Sequence, residues 1–324
     1  MKLKKLMHDF LQHYLNQNGI EFSEWTVNVN NQEGFGDYSS NIALKLAKIL
    51  KKAPIEIAED IANCPNASEN VFTLSASKPG FVNFHISNDY YLKILQQIIN
   101  ESENFGKKKK LNKSANVEFV SCNPTGPLTV GHGRQAILGD MVSNILIWNG
   151  YDVTREYYYN DAGKQMRVLA ESCYAKYAKL IGKEVEMPEN GYVGKYLDEV
   201  AEKIINEYGK DLKSDNPIFK DFTEKEIFDN IKNTLENLGI KFDVFTKEGT
   251  FYNNGAIDNV LKILKEKNLS YEKDGAVWFK TSSLNKEEDK VLVKSSGEPT
   301  YRLPDIAYHA DKVDRGFDLI VDIF

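Results

Sequence analysis

Residues 117–134 read VEFVSCNPTGPLTVGHGR. VEFVS is a short apolar run suited to a buried parallel strand. In NPTGPLTVGHGR, Pro124, Gly126 and Pro127 forbid regular structure until about Gly131, and Gln135 to Trp148 then forms a helix. That helix ends at Asn149-Gly150, where glycine can take the left-handed cap conformation. DVTREYYY (152–159) is the next strand, and Asn160-Asp161 sits where an N-cap belongs, ahead of AGKQMRVLAESCYAKYAKL (162–180). Strand, Gly-rich turn, helix, strand, helix is the alternation of an α/β chain with a doubly wound parallel sheet.

Working outward, residues 1–106 form a separate α/β (α+β) unit. Leu3, Leu6, Met7, Phe10, Leu11, Tyr14 and Leu15 recur at helical spacing over 2–17. EWTVNVN reads as a strand, EGFGDYSSN as a Gly-rich turn, and Ile42, Leu44, Leu46, Ile49 and Leu50 mark a second helix. NVFTLSASKPGFVNFHIS alternates like paired strands around Lys78-Pro79-Gly80, and a third helix follows from about Asn88. The lysine run 107–110, with Lys113 behind it, has no apolar periodicity and marks a boundary. The second domain, 107–324, is interrupted at about 184–290 by charged helices and a strand pair around YEKDGAVWFKTS, which read as an insertion. Parallel alternation is expected to resume with VLVKSSG, a helix from Leu303 to Asp314, and DLIVDIF.

Composition agrees with two ordinary domains: 324 residues, 42% hydrophobic, 27% charged. Net charge is −6, so no global basic surface draws the chain to nucleic acid, and any such partner needs a local basic face. Cys64, Cys122 and Cys173 form no C-x-x-C, and the five histidines show no i, i+3 or i, i+4 pair, which argues against a protein metal site and for reduced thiols. His8, Asp9, Gln12 and His13 interrupt what would have to be a signal core, and no apolar run reaches the roughly 18–20 residues of a membrane span. A cytoplasmic chain without membrane contact is expected.

In such sheets ligands bind beyond the carboxyl ends of the strands, and the first loop meets phosphates at a helix N-terminus. The loop is not G-x-G-x-x-G, which disfavours a hydride-transferring dinucleotide enzyme. Gly131 lets a flat base or ribose approach the backbone, and His132 can donate to a phosphate oxygen. Taken alone, Glu118 reads as an edge-strand residue, Asp305 as a cap or solvent-facing group, Tyr301 as core and Cys122 as a packing residue.

The stretch P-L-x-x-G-H-x-R, Pro127 to Arg134, resembles the HIGH signature of class I aminoacyl-tRNA synthetases, and its framing is similar to the arginyl-tRNA synthetases. FGDYSSNIALKLAK and KPGFVNFHIS resemble that family's N-terminal domain, YYYNDAGKQM its second-strand segment and TYRLPDIAYHADK the helix opposite the substrate. The resemblance covers nearly the whole chain in family order. It implies a Rossmann-like catalytic domain that activates L-arginine with ATP and transfers it to tRNA(Arg), with Mg²⁺ bridging the phosphates. His132 and Thr129 would be catalytic, and Pro124, Thr125, Gly126, Pro127, Gly131, His132, Gly133 and His309 would meet ATP. Glu118, Ser121, Asn123, Tyr301 and Asp305 would hold arginine, the planar guanidinium being best read by carboxylates that accept paired N–H bonds. Phe35, Tyr38 and Asn41 would touch tRNA by stacking or hydrogen bonding. A monomer is expected.

Thr129 replaces the first histidine of the signature; its hydroxyl can bond a phosphate but carries no charge. The family continues with the rest of the nucleotide fold, a KMSKS-like loop and an anticodon-binding domain, so residues 1–324 are expected to be its N-terminal and partial catalytic portion. Two rivals remain: a related nucleotidyltransferase acting on a small metabolite, and a noncatalytic tRNA-binding fragment.

Overall fold

The computed structural model describes residues 2–65, 68, 70–161 and 163–324. Contacts divide the chain into two compact units, Met1–Gly106 and Lys107–Phe324.

The first unit opens with α1 (Lys2–Gln17), whose stripe of Met7, Phe10, Leu11, Tyr14 and Leu15 is buried. β1 (Val27–Val29) and β2 (Tyr38–Ser40) precede α2 (Ile42–Leu50) and α3 (Pro54–Ala62). β3 (Phe72–Ser77), β4 (Phe81–Ile86) and α4 (Asn88–Glu101) complete the unit. The sheet is antiparallel in the order β1-β2-β4-β3, with Phe72, Val82 and Phe84 packed against Ile42, Leu46, Ile57 and Ile61. Two expectations change here. Tyr38–Ser40, read as part of a turn, is a strand because its backbone pairs with both Val27–Val29 and Val82–Phe84. The helix at Asn88 is the fourth, since α3 starts with Pro54 at its first position, where a missing N–H costs nothing.

The second unit begins with β5 (Ser114–Phe119), α5 (Val130–Trp148) and β6 (Asp152–Tyr159). Three helices follow: α6 (Gly163–Leu180), α7 (Lys195–Tyr208) and α8 (Ile218–Asn237). Ala162, the first residue of the helix expected at 162–180, lies outside the described residues. Next come β7 (Val244–Lys247), α9 (Gly249–Asn253), α10 (Ala256–Glu266), β8 (Ser270–Lys273) and β9 (Ala276–Phe279). β10 (Lys290–Val293), α11 (Arg302–Asp314) and β11 (Leu319–Ile323) end the chain.

β11, β5, β6 and β7 form a parallel sheet in that order. The chain winds from β5 through β6 to β7, then returns to add β11 on the other side of β5. The direction of winding therefore reverses between β5 and β11, which is the position at which open α/β sheets leave a crevice for ligands. The proposed insertion at 184–290 is corrected at two places. β7 lies inside that span yet is a strand of the parallel sheet; its four edge residues, alternately half-buried and exposed, carry no apolar run that would have announced it. VLV at 291–293, expected to resume the parallel sheet, instead pairs antiparallel with β9 in a separate three-stranded sheet.

Strand alternation divides the parallel sheet into an apolar and a polar face. Val117, Phe119, Tyr157 and Tyr159 join one core with Ala136, Leu169 and Phe228. Asn116, Glu118, Glu156 and Tyr158 face the other way, under α11, where Tyr308 stacks on Tyr158 with ring centroids 4.2 Å apart. Helices thus cover both faces. Among the described residues no helix is long and apolar enough to cross a membrane.

Candidate functional site

The loop leaving β5 turns sharply. Val120 and Ser121 have φ of 68° and 40°, a left-handed pair that a β-branched residue rarely adopts and that surrounding bonds must hold. Those bonds run on as a chain. Ser121 Oγ donates to Glu118 Oε1 (2.8 Å) and accepts from the Tyr158 N–H (3.1 Å). The Tyr158 hydroxyl donates to Glu248 Oε2 (2.9 Å), and Asn160 Nδ2 donates to Glu248 Oε1 (2.7 Å). The Asn160 N–H donates in turn to Asn123 Oδ1 (2.9 Å), while Asn123 Nδ2 donates to Gln165 Oε1 (2.7 Å). Ser121 and Asn123, expected at the arginine end, therefore brace the ends of β5, β6 and β7. Asp161, expected as a helix cap, accepts from the Gly249 N–H at 2.8 Å.

Thr129 is the N-cap of α5 in a reciprocal capping box. Its Oγ1 accepts from the His132 N–H (3.4 Å), and the Thr129 N–H donates to His132 Nδ1 (3.1 Å). With Nδ1 accepting, the neutral imidazole carries its proton on Nε2, the nitrogen left to donate outward at a helix N-terminus. Gly131 and Gly133 open the same turn: a Cβ on Gly133 would meet nothing within 4 Å, and one on Gly131 only Thr129 Oγ1 at 3.6 Å. Ahead of the cap, Pro124 is buried, the Thr125 carbonyl accepts from the Tyr196 hydroxyl at 2.5 Å, and a Cβ on Gly126 would lie 3.3 Å from that hydroxyl. Pro127 is exposed. Cys122 lies against the Tyr157 hydroxyl at 3.0 Å, and burial pushes its thiol up, away from nucleophilic use.

The acidic groups gather beyond β5 and β11, at the switch point. Glu118 is 3% exposed on a strand paired on both sides, so the edge-strand reading does not hold. Its Oε2 accepts from Lys312 Nζ, whose side chain is fully buried, and Lys312 also donates to Asp322 Oδ1 at 2.5 Å. Asp322 sits opposite Glu118 in the β11–β5 register. His309 reaches Asp322 Oδ2 through Nε2 (3.2 Å) and its own helix through Nδ1, 2.9 Å from the Asp305 carbonyl and 3.6 Å from Asp305 Oδ1. Both ring nitrogens are thus engaged within the protein rather than offered to a nucleotide.

The hydrogen bond to Asp322 lifts the His309 pKa to about 9, against burial and with added help from the Asp305 carbonyl and carboxylate. For Asp322, burial works upward, yet the bonds from His309 and Lys312 hold it well below the usual carboxylate range. Asp305 is exposed in the first turn of α11, and Tyr301 is the N-cap residue, 70% exposed with the Arg302 guanidinium over its ring.

Lys312, Asp322 and Glu248 were not read from the sequence. Lysine and aspartate near a chain end look solvated, and Glu248 follows the strand that the sequence disguised. Burial raises the Glu248 carboxyl; the Tyr158 bond opposes this, and the charges of Asp161 and Asp305 add to it. A cation between Glu248 and Asp305 would relieve that repulsion.

Glu118, His309 and Asp322 offer ligand atoms within 4.8 Å of one another, but the Lys312 ammonium already binds both carboxylates there and His309 is held protonated. This cluster does not fit a resident divalent ion. In the first unit, Phe35 is exposed, Tyr38 packs half-buried with Lys4 Nζ 5.8 Å above its ring, and Asn41 Oδ1 accepts from the Thr26 N–H at 3.2 Å. Lys107 to Lys110 are exposed, yet the Lys108 and Leu111 N–H groups donate to the Trp148 and Gly150 carbonyls, tying the run to the second unit.

Comparison with known proteins places this geometry. Residues 94–322 match the model of class I (R) tRNA synthetase catalytic domains, and residues 1–86 match that of the arginyl-tRNA synthetase N-terminal domain. The chain is 47% identical over 320 residues to the arginine–tRNA ligase of Desulfotalea psychrophila, covering 95% of this chain and 58% of that protein. It is 44% identical over 307 residues to the Thermotoga maritima arginine–tRNA ligase, covering 93% and 56%. A solved Campylobacter jejuni structure superposes with a TM-score of 0.69 at 33% identity over 74% of this chain and 54% of that one. The Thermus thermophilus arginyl-tRNA synthetase shares the fold at a TM-score of 0.57 and 22% identity, over 94% and 52%. The chain spans a little over half the length of the curated relatives it matches. With a family model matched in each unit, and a capped signature helix beside buried carboxylates at the switch point, the chain belongs to the class I arginyl-tRNA synthetases.

Proposed function

We propose that this chain carries the arginine-activating site of an arginine–tRNA ligase. The observation that carries the reading is that Glu118, Asp322 and Asp305 gather where β5 and β11 meet, at the switch point that the capped signature helix borders, with Glu248, just past β7, in electrostatic reach of Asp305. Arginine would enter with its guanidinium between Asp305 and Glu248 beside Tyr301, and its α-amino and carboxylate end toward Asn123 and Ser121. Its carboxylate oxygen attacks the α-phosphorus of ATP, forming the acyl–phosphate bond and releasing pyrophosphate; a ribose hydroxyl of tRNA(Arg) then takes the arginyl group and AMP leaves. Phosphoryl chemistry of this kind asks the protein chiefly for positioning and charge stabilisation. The α5 N–H groups and His132 Nε2–H supply donors to the phosphates, Gly131 and Gly133 admit the nucleoside, and Thr129 holds His132 in place. Mg²⁺ would arrive with ATP as part of the substrate. Phe35, Tyr38 and Asn41 would touch the tRNA by stacking or hydrogen bonding, and the protein would act as a cytoplasmic monomer.

The test is transfer of radiolabelled arginine to tRNA(Arg) by this chain with ATP. Arginine-specific, ATP-dependent labelling of tRNA supports the reading. Retention of tRNA without labelling favours a noncatalytic tRNA-binding role.

A further inference from the structure

We propose that Lys312 is a positioning residue for arginine recognition: its ammonium neutralises Glu118 and Asp322 beneath α11, keeping that helix seated so that Asp305 faces the crevice. The inference rests on the proposed function and adds a residue to it.

Lysine is almost never fully buried unless it is paired, and Lys312 has no exposed side-chain surface. Its ammonium meets Glu118 Oε2, Asp322 Oδ1 and the face of the Tyr308 ring, 4.4 Å from the centroid. Each carboxylate is held again from its other oxygen, Glu118 by Ser121 and Asp322 by His309. One side chain of α11 is thereby bonded to both strands that flank the switch point. Asp305 lies seven residues earlier, two helical turns along the same face, so any lift of the helix moves it away from Glu248. Glu118 has both oxygens engaged, one of them by the Lys312 ammonium, whereas Glu248, buried as well, is bonded among the described residues only by the neutral Tyr158 and Asn160 side chains and Asp305 is exposed, which leaves the guanidinium to Asp305 and Glu248.

Removing one member of a buried ion pair strands the other charge, whereas neutralising both is commonly tolerated. This separates support from direct contact. Arginine and ATP binding to the 324-residue chain would be measured by calorimetry for wild type, Lys312→Met and Glu118→Gln/Lys312→Met, with thermal melts alongside. In Lys312→Met, arginine Kd should rise at least about tenfold while ATP Kd changes less than about twofold; in the double variant arginine binding should recover to within about threefold of wild type.

Wild-type arginine affinity in Lys312→Met overturns the inference alone. A double variant weaker than Lys312→Met also overturns it, because Glu118 would then touch the guanidinium itself. Should Lys312→Met not fold, the double variant decides: recovery supports the inference and a loss beyond about tenfold sinks it. A wild-type chain with no saturable arginine binding overturns the proposed function, and the inference with it.

Discussion

Thr129 stands where the class I signature has its first histidine, and its bonds give it a local role, capping α5 and fixing the tautomer of His132. Loss of a threonine N-cap costs about 1 kcal/mol. Thr129→Ala should therefore lower the melting temperature modestly and slow arginine-dependent pyrophosphate exchange, while Thr129→Ser keeps both. Unchanged exchange in the alanine variant would remove Thr129 from catalysis. His132 and the glycines were legible as a motif because loop chemistry is local. Lys312 was not, since nothing within seven residues of it in sequence predicts the two carboxylates from β5 and β11 that bury it.

His309 offers a second prediction at the same scale. Its folded pKa is raised from 6.5 to about 9, so its pairing stabilises the fold fully below about 6.5 and loses that contribution as pH rises through 9. The facing groups are Asp305 on its own helix and Asp322 on β11, with the Lys312 charge opposing and the Tyr308 ring alongside. Imidazole NMR should show a midpoint near 9, and the stability gap between wild type and His309→Asn should close between pH 6.5 and 9. A midpoint near 6.5 would contradict the Asp322 pairing.

Among the elements, α5 shows how closely a helix can lie on its strand. A Cβ on Gly139 would fall 2.1 Å from Phe119 Cγ, so the glycine permits the contact that seats the signature helix on β5. Gly139→Ala should destabilise by about 1–3 kcal/mol through overpacking, read by chemical denaturation; an unchanged midpoint would contradict this seating. The long periodic helices and DVTREYYY were readable because period and length agree with the final element. β7 and β10 were not, because a four-residue strand shows no period, and its sheet is chosen by partners more than 80 residues away for β7 and next door for β10. α3 was missed despite its signal, an extended Ala53 followed by Pro54 and apolar positions 57, 58 and 61.

For the whole molecule, two units each carry their own core, and the 324 residues span a little over half of the relatives' length. Doubly wound topology was legible from the alternation around 117–180; the position of the site required knowing that β11 returns beside β5. The claim at the centre is that this crevice selects a guanidinium through Asp305 and Glu248. Lysine cannot reproduce the two parallel N–H bonds of that group. The direct measurement is calorimetric titration of the chain with arginine and with lysine: the account predicts saturable arginine binding at least about tenfold tighter than lysine, lost in Asp305→Asn. Equal affinity for the two amino acids, or arginine binding untouched by Asp305→Asn, would contradict it.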